Sequence, residues 1–173
     1  MIQVLIADDH AIVRKGMKEI VSETEDIVIT GEASDGHQAL SKILNENYDV
    51  VILDISMPGR SGIDVLDQIK KGKPGLPVLM LSMYPEEQYA VRALKLGAAG
   101  YLTKKSVPDE LIDAVRKVYH GGKYISPILA EKLADYIYDA DDEKPPHENL
   151  TDKEFQIMRM IAEGNRIKDI AAK

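Results

Sequence analysis

The sequence predicts an α/β protein built on a doubly wound, five-stranded parallel sheet. Apolar runs of strand type alternate five times with segments of helical periodicity within the first 120 residues or so. These runs are apolar at nearly every position, a pattern typical of parallel strands covered by helices on both faces. The short connections between them favour right-handed crossovers.

Each element follows from its own pattern of apolar residues. The strands are expected at residues 2–7, 27–33, 50–54, 78–82 and 99–103. The first helix, of about three turns, should place on one side Ile12, Val13, Met17, Ile20 and Val21. The later helices are expected at residues 36–45, 63–71, 86–96 and 107–120. Ser106 and Pro108 mark the start of the last of these helices.

Composition excludes several classes of protein. The 173 residues are 45% apolar and carry a net charge of −7, so nucleic-acid contact would need a local basic patch. No cysteine is present, which excludes disulfides and cysteine-ligated metal. The histidines have no spacing typical of a metal site, and none is expected at His10, His37, His120 or His147. With no signal peptide or membrane-spanning run, we expect a soluble, cytoplasmic protein without a membrane partner.

Carboxylates stand where two of the predicted strands end. Asp54 closes the central strand before the turn at Pro58-Gly59, and Asp8 and Asp9 close the first strand. Parallel strands present their carboxyl ends at one edge of the sheet, so these acids should converge there. Each could instead cap a turn or a helix. A converging cluster would repel itself by roughly 4 kcal/mol per close pair and would need a cation, for which oxygen ligands favour Mg²⁺.

A hydroxyl and an ammonium group follow the last two strands. Ser82 ends the fourth strand, and the fifth runs through Tyr101 toward Lys104. Together with Mg²⁺ they are what an acyl-phosphate on Asp54 would require, with Asp54 as nucleophile. Taken singly, Ser82 could be a satisfied loop hydroxyl, Tyr101 an ordinary strand aromatic and Lys104 a solvated charge. Their joint placement at one edge favours the phosphoacceptor hypothesis.

These residues, with Met57-Pro58-Gly59, resemble the receiver domain of bacterial two-component response regulators, over residues 1–120. The resemblance implies a flavodoxin-like fold and phosphorylation of Asp54 by a sensor histidine kinase. It also implies that Asp9, Asp54 and the backbone carbonyl of Ser56 bind Mg²⁺, with Asp8 helping through water.

The resemblance further implies roles for the remaining candidates. Lys104 would bind the phosphoryl group, while Ser82 and Tyr101 would form a switch pair whose hydroxyl moves toward that group and whose ring turns inward. The resulting surface change would favour a homodimer. Lys105 departs from the family, because many receivers have a proline there after a cis peptide bond; the isomer of the Lys104–Lys105 bond is left open.

Beyond residue 122 the composition and the pattern of apolar residues change. Residues 123–148 are expected to form a linker with a short helix, because they end in an acidic stretch containing Pro145-Pro146. Residues 149–173, with Leu150-Thr151-x-x-Glu154 at their start, resemble the N-terminal part of a LuxR-type helix-turn-helix output domain. This combination resembles the NarL/FixJ class, although Arg166 and Ile167 depart from it. The recognition helix is absent from this chain, which we expect to be truncated within an all-α output domain.

The predicted function is a phosphorylation-activated regulator, not an enzyme, that controls transcription through a C-terminal DNA-binding domain. Acids and bases balance within residues 148–173, so the DNA prediction depends on the resemblance and not on charge. One alternative is a phosphorylation-regulated protein-interaction module without DNA binding. Another is a magnesium-dependent aspartyl phosphohydrolase of the haloacid-dehalogenase type, which would require an acid at the position of Ser56.

Overall fold

Five strands and five helices alternate along the described part of the chain. The structure, a computed structural model, describes residues 1–83, 86–127, 129–131 and 133, and of residues 86–88 the backbone alone. The strands are Ile2–Ala7 (β1), Ile27–Ala33 (β2), Val50–Asp54 (β3), Val78–Ser82 (β4) and Gly100–Thr103 (β5). The helices are Ala11–Ser22 (α1), Gly36–Asn45 (α2), Gly62–Gly72 (α3), Glu86–Lys95 (α4) and Val107–Tyr119 (α5). The predicted alternation is confirmed, with element ends shifted by a residue at most.

The strands form one parallel sheet in the order β2-β1-β3-β4-β5. This is the doubly wound, flavodoxin-like topology expected from the sequence, with β1 and β3 as neighbours. The register aligns Ala7 with Leu53 across β1 and β3, and Asp54 with Leu81 across β3 and β4. The carboxyl ends of the central strands therefore lie at a common edge, and the loops that follow them meet there.

The core explains why these strands are apolar at every position. All residues of β3 and β4 are buried, because helices cover both faces of the sheet. Helices α1 and α5 contact each other, as do α2 and α3. One buried cluster joins α1 and α5 to alternate strand residues that include Val4, Ile6, Ile52 and Leu79. Burial of this apolar surface is the main force that holds the sheet edge in place.

Two details of the predicted helices differ in the structure. Ile12 was predicted on the buried side of α1 but is 82% exposed, because it lies in the first turn, next to the exposed His10. Ser106 precedes α5 as predicted, but its hydroxyl donates to the carbonyl of Thr103 and does not cap the helix.

The chain returns to the sheet after α5. Tyr124 forms a parallel bridge with Gly100, its N–H donates to the carbonyl of Ala99, and its carbonyl accepts from the N–H of Tyr101. Residues 127, 129–131 and 133 are helical, and Leu129 is fully buried. A compact unit spans Met1–Ala134. The predicted output segment, residues 149–173, lies outside the described residues.

Two general features complete the description. The described residues contain no cis peptide bond, so the Lys104–Lys105 bond is trans. Within the described part of the chain, no helix has the length and apolar character needed to cross a membrane.

Candidate functional site at the carboxyl edge of the sheet

Two buried carboxylates mark the edge where β1 and β3 end. Asp54, the last residue of β3, is 1% exposed, and Asp8, which follows β1, is 0% exposed. The backbone N–H of Ser56 donates to Asp54 Oδ1 at 3.3 Å, and the backbone N–H of His10 donates to Asp8 Oδ1 at 2.8 Å. Ionised carboxylates are seldom buried without a partner. Their position therefore calls for a cation.

Lys104 supplies part of that positive charge. Its Nζ lies 2.8 Å from Asp54 Oδ2 and 2.8 Å from Asp8 Oδ2, and its side chain is only 5% exposed. The loop that carries Lys104 is held in place because its backbone N–H donates to the carbonyl of Ser82 at 2.8 Å. One ammonium group thus bridges two carboxylates from different strands, which leaves the site with excess negative charge.

The protonation of the pair follows from burial and charge. Burial raises the pKa of Asp54; the hydrogen bond from Lys104 opposes this shift and the negative charge of Asp8 adds to it. For Lys104, burial by itself would lower the pKa, but its contacts with Asp54 and Asp8 outweigh burial and raise it. Lys104 therefore stays protonated at neutral pH, while ionised Asp54 is held in a site that resists its charge.

The two candidate switch residues lie on neighbouring strands. Ser82 ends β4 directly after Leu81, the register partner of Asp54, and is fully buried. Tyr101 on β5 is also fully buried. The sheet therefore carries Ser82 to the edge where Asp54 ends and places Tyr101 within the adjoining core.

Asp9 and an unexpected histidine complete the site. Oxygen or nitrogen atoms of Asp8, Asp9, His10 and Asp54 all lie within 4.8 Å of one another. Three carboxylates in this arrangement fit a hard divalent cation such as Mg²⁺, which takes oxygen ligands and keeps some of its water. Sequence reasoning missed His10, because histidines were judged by their spacing to other histidines and not by their place next to Asp8-Asp9.

Backbone packing fixes the position of Asp54, and this too was missed. A side chain at Gly62, the first residue of α3, would overlap with the carbonyl oxygen of Asp54. Gly62 also donates its N–H to the carbonyl of Ile55 at 2.9 Å, so α3 begins in direct contact with the end of β3. The predicted turn at Pro58-Gly59 is present, with Gly59 at a φ of 79° that favours glycine.

Arg14 is a further supporting residue that sequence reasoning missed. Its guanidinium Nη1 donates to the backbone carbonyl of Asp8 at 2.7 Å, and its Nε lies 3.3 Å from Glu32 Oε2 on β2. Glu32 also pairs with Lys18, and this pairing lowers the pKa of Glu32. Arg14 thus ties α1 to the loop that carries the acidic pair.

Comparison with known proteins decides the family. Residues 4–116 match the family described as the response regulator receiver domain. The chain belongs to the response regulators. All the site residues predicted from the sequence lie within the matched segment.

Relatives and a solved structure place this response regulator in the NarL/FixJ class. It is 34% identical to the response regulator UvrY of Escherichia coli strain K12, with 99% of this chain and 78% of UvrY covered. It is 37% identical to the oxygen regulatory protein NreC of Staphylococcus carnosus, with 99% of this chain and 82% of NreC covered. The crystal structure of a LuxR-family two-component response regulator from Aurantimonas sp. SI85-9A1 is 28% identical and superposes with a TM-score of 0.73, covering 80% of this chain and 99% of that one. The family is thus one of transcription regulators.

Proposed function

We propose that this response regulator accepts a phosphoryl group on Asp54 from a sensor histidine kinase. The observation that carries the proposal is the buried Asp54 carboxylate, held 2.8 Å from Lys104 Nζ beside the acidic pair Asp8-Asp9. A carboxylate oxygen of Asp54 would form a bond to phosphorus as the bond from phosphorus to the donor histidine nitrogen breaks. The electron pair of that bond stays on the leaving nitrogen.

The neighbouring residues fit this reaction. Lys104 neutralises charge on the phosphoryl oxygens and the Ser82 hydroxyl donates to one of them. Asp9, Asp54 and the backbone carbonyl of Ser56 would hold Mg²⁺, with Asp8 acting through water. When bound, Mg²⁺ supplies positive charge beside the transferring group. The protein's own contribution is to hold its nucleophile in a protected pocket where these charges are already in place.

Phosphorylation is proposed to act as a switch. It adds roughly 1.5 to 2 negative charges at neutral pH, which draw Ser82 and Lys104 toward the new group. The adjoining region, built from α4, β5 and α5, contains the fully buried Tyr101. A shift of Ser82 and the packing around Tyr101 would change this surface and favour a homodimer.

The proposed output is control of transcription through DNA. In this proposal residues 1–122 form the receiver domain, residues 123–148 the linker, and residues 149–173 the first part of a LuxR-type helix-turn-helix domain. The support is the family of transcription regulators to which the chain belongs and its match along nearly its whole length to UvrY and NreC. The structural description covers the receiver and the start of the linker.

Intact mass spectrometry tests the phosphoacceptor. The chain is incubated with acetyl phosphate and Mg²⁺, with Asp54→Asn alongside and Asp67→Asn as a matched control at a half-buried carboxylate on α3 that pairs with Lys71. We expect a single phosphoryl adduct on the wild type and on Asp67→Asn, and none on Asp54→Asn. An adduct of equal yield on Asp54→Asn would place the phosphoacceptor elsewhere and overturn the proposal.

A further inference from the structure

The imidazole of His10 lies inside the carboxylate cluster. His10 Nδ1 is 2.7 Å from Asp9 Oδ1 and 3.1 Å from Asp8 Oδ1. Lys104 Nζ lies 3.4 Å from the same nitrogen, so the imidazole contacts an ammonium group as well as carboxylates. The ring is also 56% exposed, which leaves one side of the cluster open to solvent and to an entering ion.

The buried Asp8 carboxylate lies where a cation would be stabilised. Its side chain is 0% exposed, and Oδ1 faces His10 while Oδ2 faces Lys104. Within the described residues Oδ2 accepts no hydrogen bond of good geometry, and the ammonium group with which it forms a 2.8 Å ion pair, Lys104 Nζ, is shared with Asp54. A buried carboxylate oxygen without a directed donor is a favourable neighbour for a metal-bound water or a metal ion.

The separations suit ligands of one ion. Two ligand atoms that bind a metal at about 2.1 Å and at right angles stand roughly 3 Å apart. The distance of 2.7 Å from His10 Nδ1 to Asp9 Oδ1 is close to this value. An ion held by Asp9 and Asp54 would therefore find an imidazole nitrogen at the distance of a neighbouring ligand.

We propose that His10 supplies a nitrogen ligand to the metal site, which then favours first-row transition ions over Mg²⁺ more strongly than an all-oxygen site would. The inference depends on the cation site of the proposed function. Imidazole suits transition metals, whereas carboxylate and carbonyl oxygens suit Mg²⁺. Mn²⁺ and Co²⁺ would gain from the nitrogen, and Mg²⁺ would gain little.

Pulsed electron paramagnetic resonance on the Mn²⁺-loaded protein tests the ligand directly. A nitrogen bound to Mn²⁺ modulates the electron spin echo, and oxygen ligands do not. We expect ¹⁴N modulation in the wild type and in His37→Gln, an exposed histidine on α2, and its loss in His10→Gln. Mn²⁺ bound without nitrogen modulation in the wild type would overturn this inference and leave the proposed function intact. Failure of the wild type to bind Mn²⁺ would overturn both.

Calorimetric titration with Co²⁺ and with Mg²⁺ tests the same ligand through the metal affinities. His10→Gln should bind Co²⁺ about tenfold or more weakly than the wild type, while its Mg²⁺ affinity changes less than about threefold. His37→Gln should match the wild type for both ions. Equal losses of Co²⁺ and Mg²⁺ affinity in His10→Gln would mean that His10 merely orders the loop, and would overturn the proposed ligand.

Discussion

At the scale of single residues, Asp54 has surroundings that disfavour its ionised form. Burial and the nearby Asp8 carboxylate disfavour its ionised form, and Lys104 favours it. The net effect is a raised pKa, so ionised Asp54 is less favourable in the folded chain than in the unfolded one. Stability is thereby lowered at the residue that we propose to be the nucleophile, as is common where function requires a poorly solvated charge.

Asp54→Asn should consequently raise the free energy of unfolding at pH 7. Below the ordinary pKa of 3.8, the Asp54 carboxyl group is protonated in both the folded and the unfolded chain and does not lower the free energy of unfolding. Its contribution to the free energy of unfolding falls as the pH rises through 3.8 toward the raised pKa of the folded state. The advantage of Asp54→Asn should therefore shrink as the pH falls from 7 toward 4, as measured by urea unfolding in the presence of a chelator.

Asp67→Asn is the control for this measurement. Asp67 pairs with Lys71 on the surface of α3, and its loss should change the free energy of unfolding by about 0.5 kcal/mol or less. If wild-type stability rises relative to Asp54→Asn between pH 4 and 7, the sign assigned to the Asp54 pKa is wrong.

At the scale of elements, the junction between β3 and α3 determines where Asp54 is placed. Helix α3 starts with the Ser61 side chain accepting from the N–H of Asp64 at 3.2 Å, and Gly62 allows the helix to start against the strand end. The carbonyl of Asp54 leaves no room for a side chain at this position. A small residue in a helix, which normally weakens it, is here required by backbone packing.

Gly62→Ala should lower the free energy of unfolding by about 1–3 kcal/mol, because the added methyl group overlaps with the backbone of Asp54. It should also slow phosphorylation by acetyl phosphate, since the nucleophile is displaced. Gly16→Ala in α1 is the matched control: apart from its chain neighbours and the backbone of its own helix, no atom lies within 4 Å of the added group, and removing a helical glycine should stabilise the protein by about 0.5–1 kcal/mol. Urea unfolding of both variants is the measurement, and a neutral or stabilising Gly62→Ala would contradict this account of the junction.

At the scale of the whole molecule, the strand order β2-β1-β3-β4-β5 assembles a site from residues far apart in the sequence. Lys104 meets Asp54 and Asp8 because the loops after β5, β3 and β1 leave the sheet at the same edge. The segment that follows α5 then pairs with β5 beside Tyr101. The proposed switch residue is therefore in backbone contact with Tyr124, in the segment that we propose to be the start of a linker.

Tyr101→Ala should leave phosphorylation intact and weaken the phosphorylation-dependent dimer. Tyr101 is fully buried, so the variant also loses stability, by about 3–5 kcal/mol. Met17→Ala, at a buried position of α1, serves as a control that loses stability in the core at a residue outside β5. Sedimentation velocity with acetyl phosphate, at a temperature where both variants are folded, should show dimer for Met17→Ala and monomer for Tyr101→Ala. Loss of phosphorylation itself in Tyr101→Ala would contradict the role given to this residue.

Much of the fold and several site residues could be predicted from local patterns. Continuous apolar runs identified the buried strands, and Asp54, Ser82 and Lys104 were found because each stands at a strand end. Arg14 and Gly62 were missed, because their roles depend on partners that only the packed structure brings near. His10 was missed because its position next to Asp8-Asp9 was not considered. Ile12 was misplaced for a related reason: helical spacing indicates which residues share a side but not how far the core extends along the helix.

The sequence by itself determined the order of strands and helices, the family, and the chemical groups at the sheet edge. These follow from periodicity, turn residues and side-chain chemistry, which are properties of short stretches of chain. Only the tertiary structure decided which of those groups lie close enough to form ion pairs. The alignment of β1, β3 and β5 at one edge of the sheet places one lysine between two carboxylates that are far apart in the sequence. Distances of this kind arise from long-range packing, which local patterns do not contain.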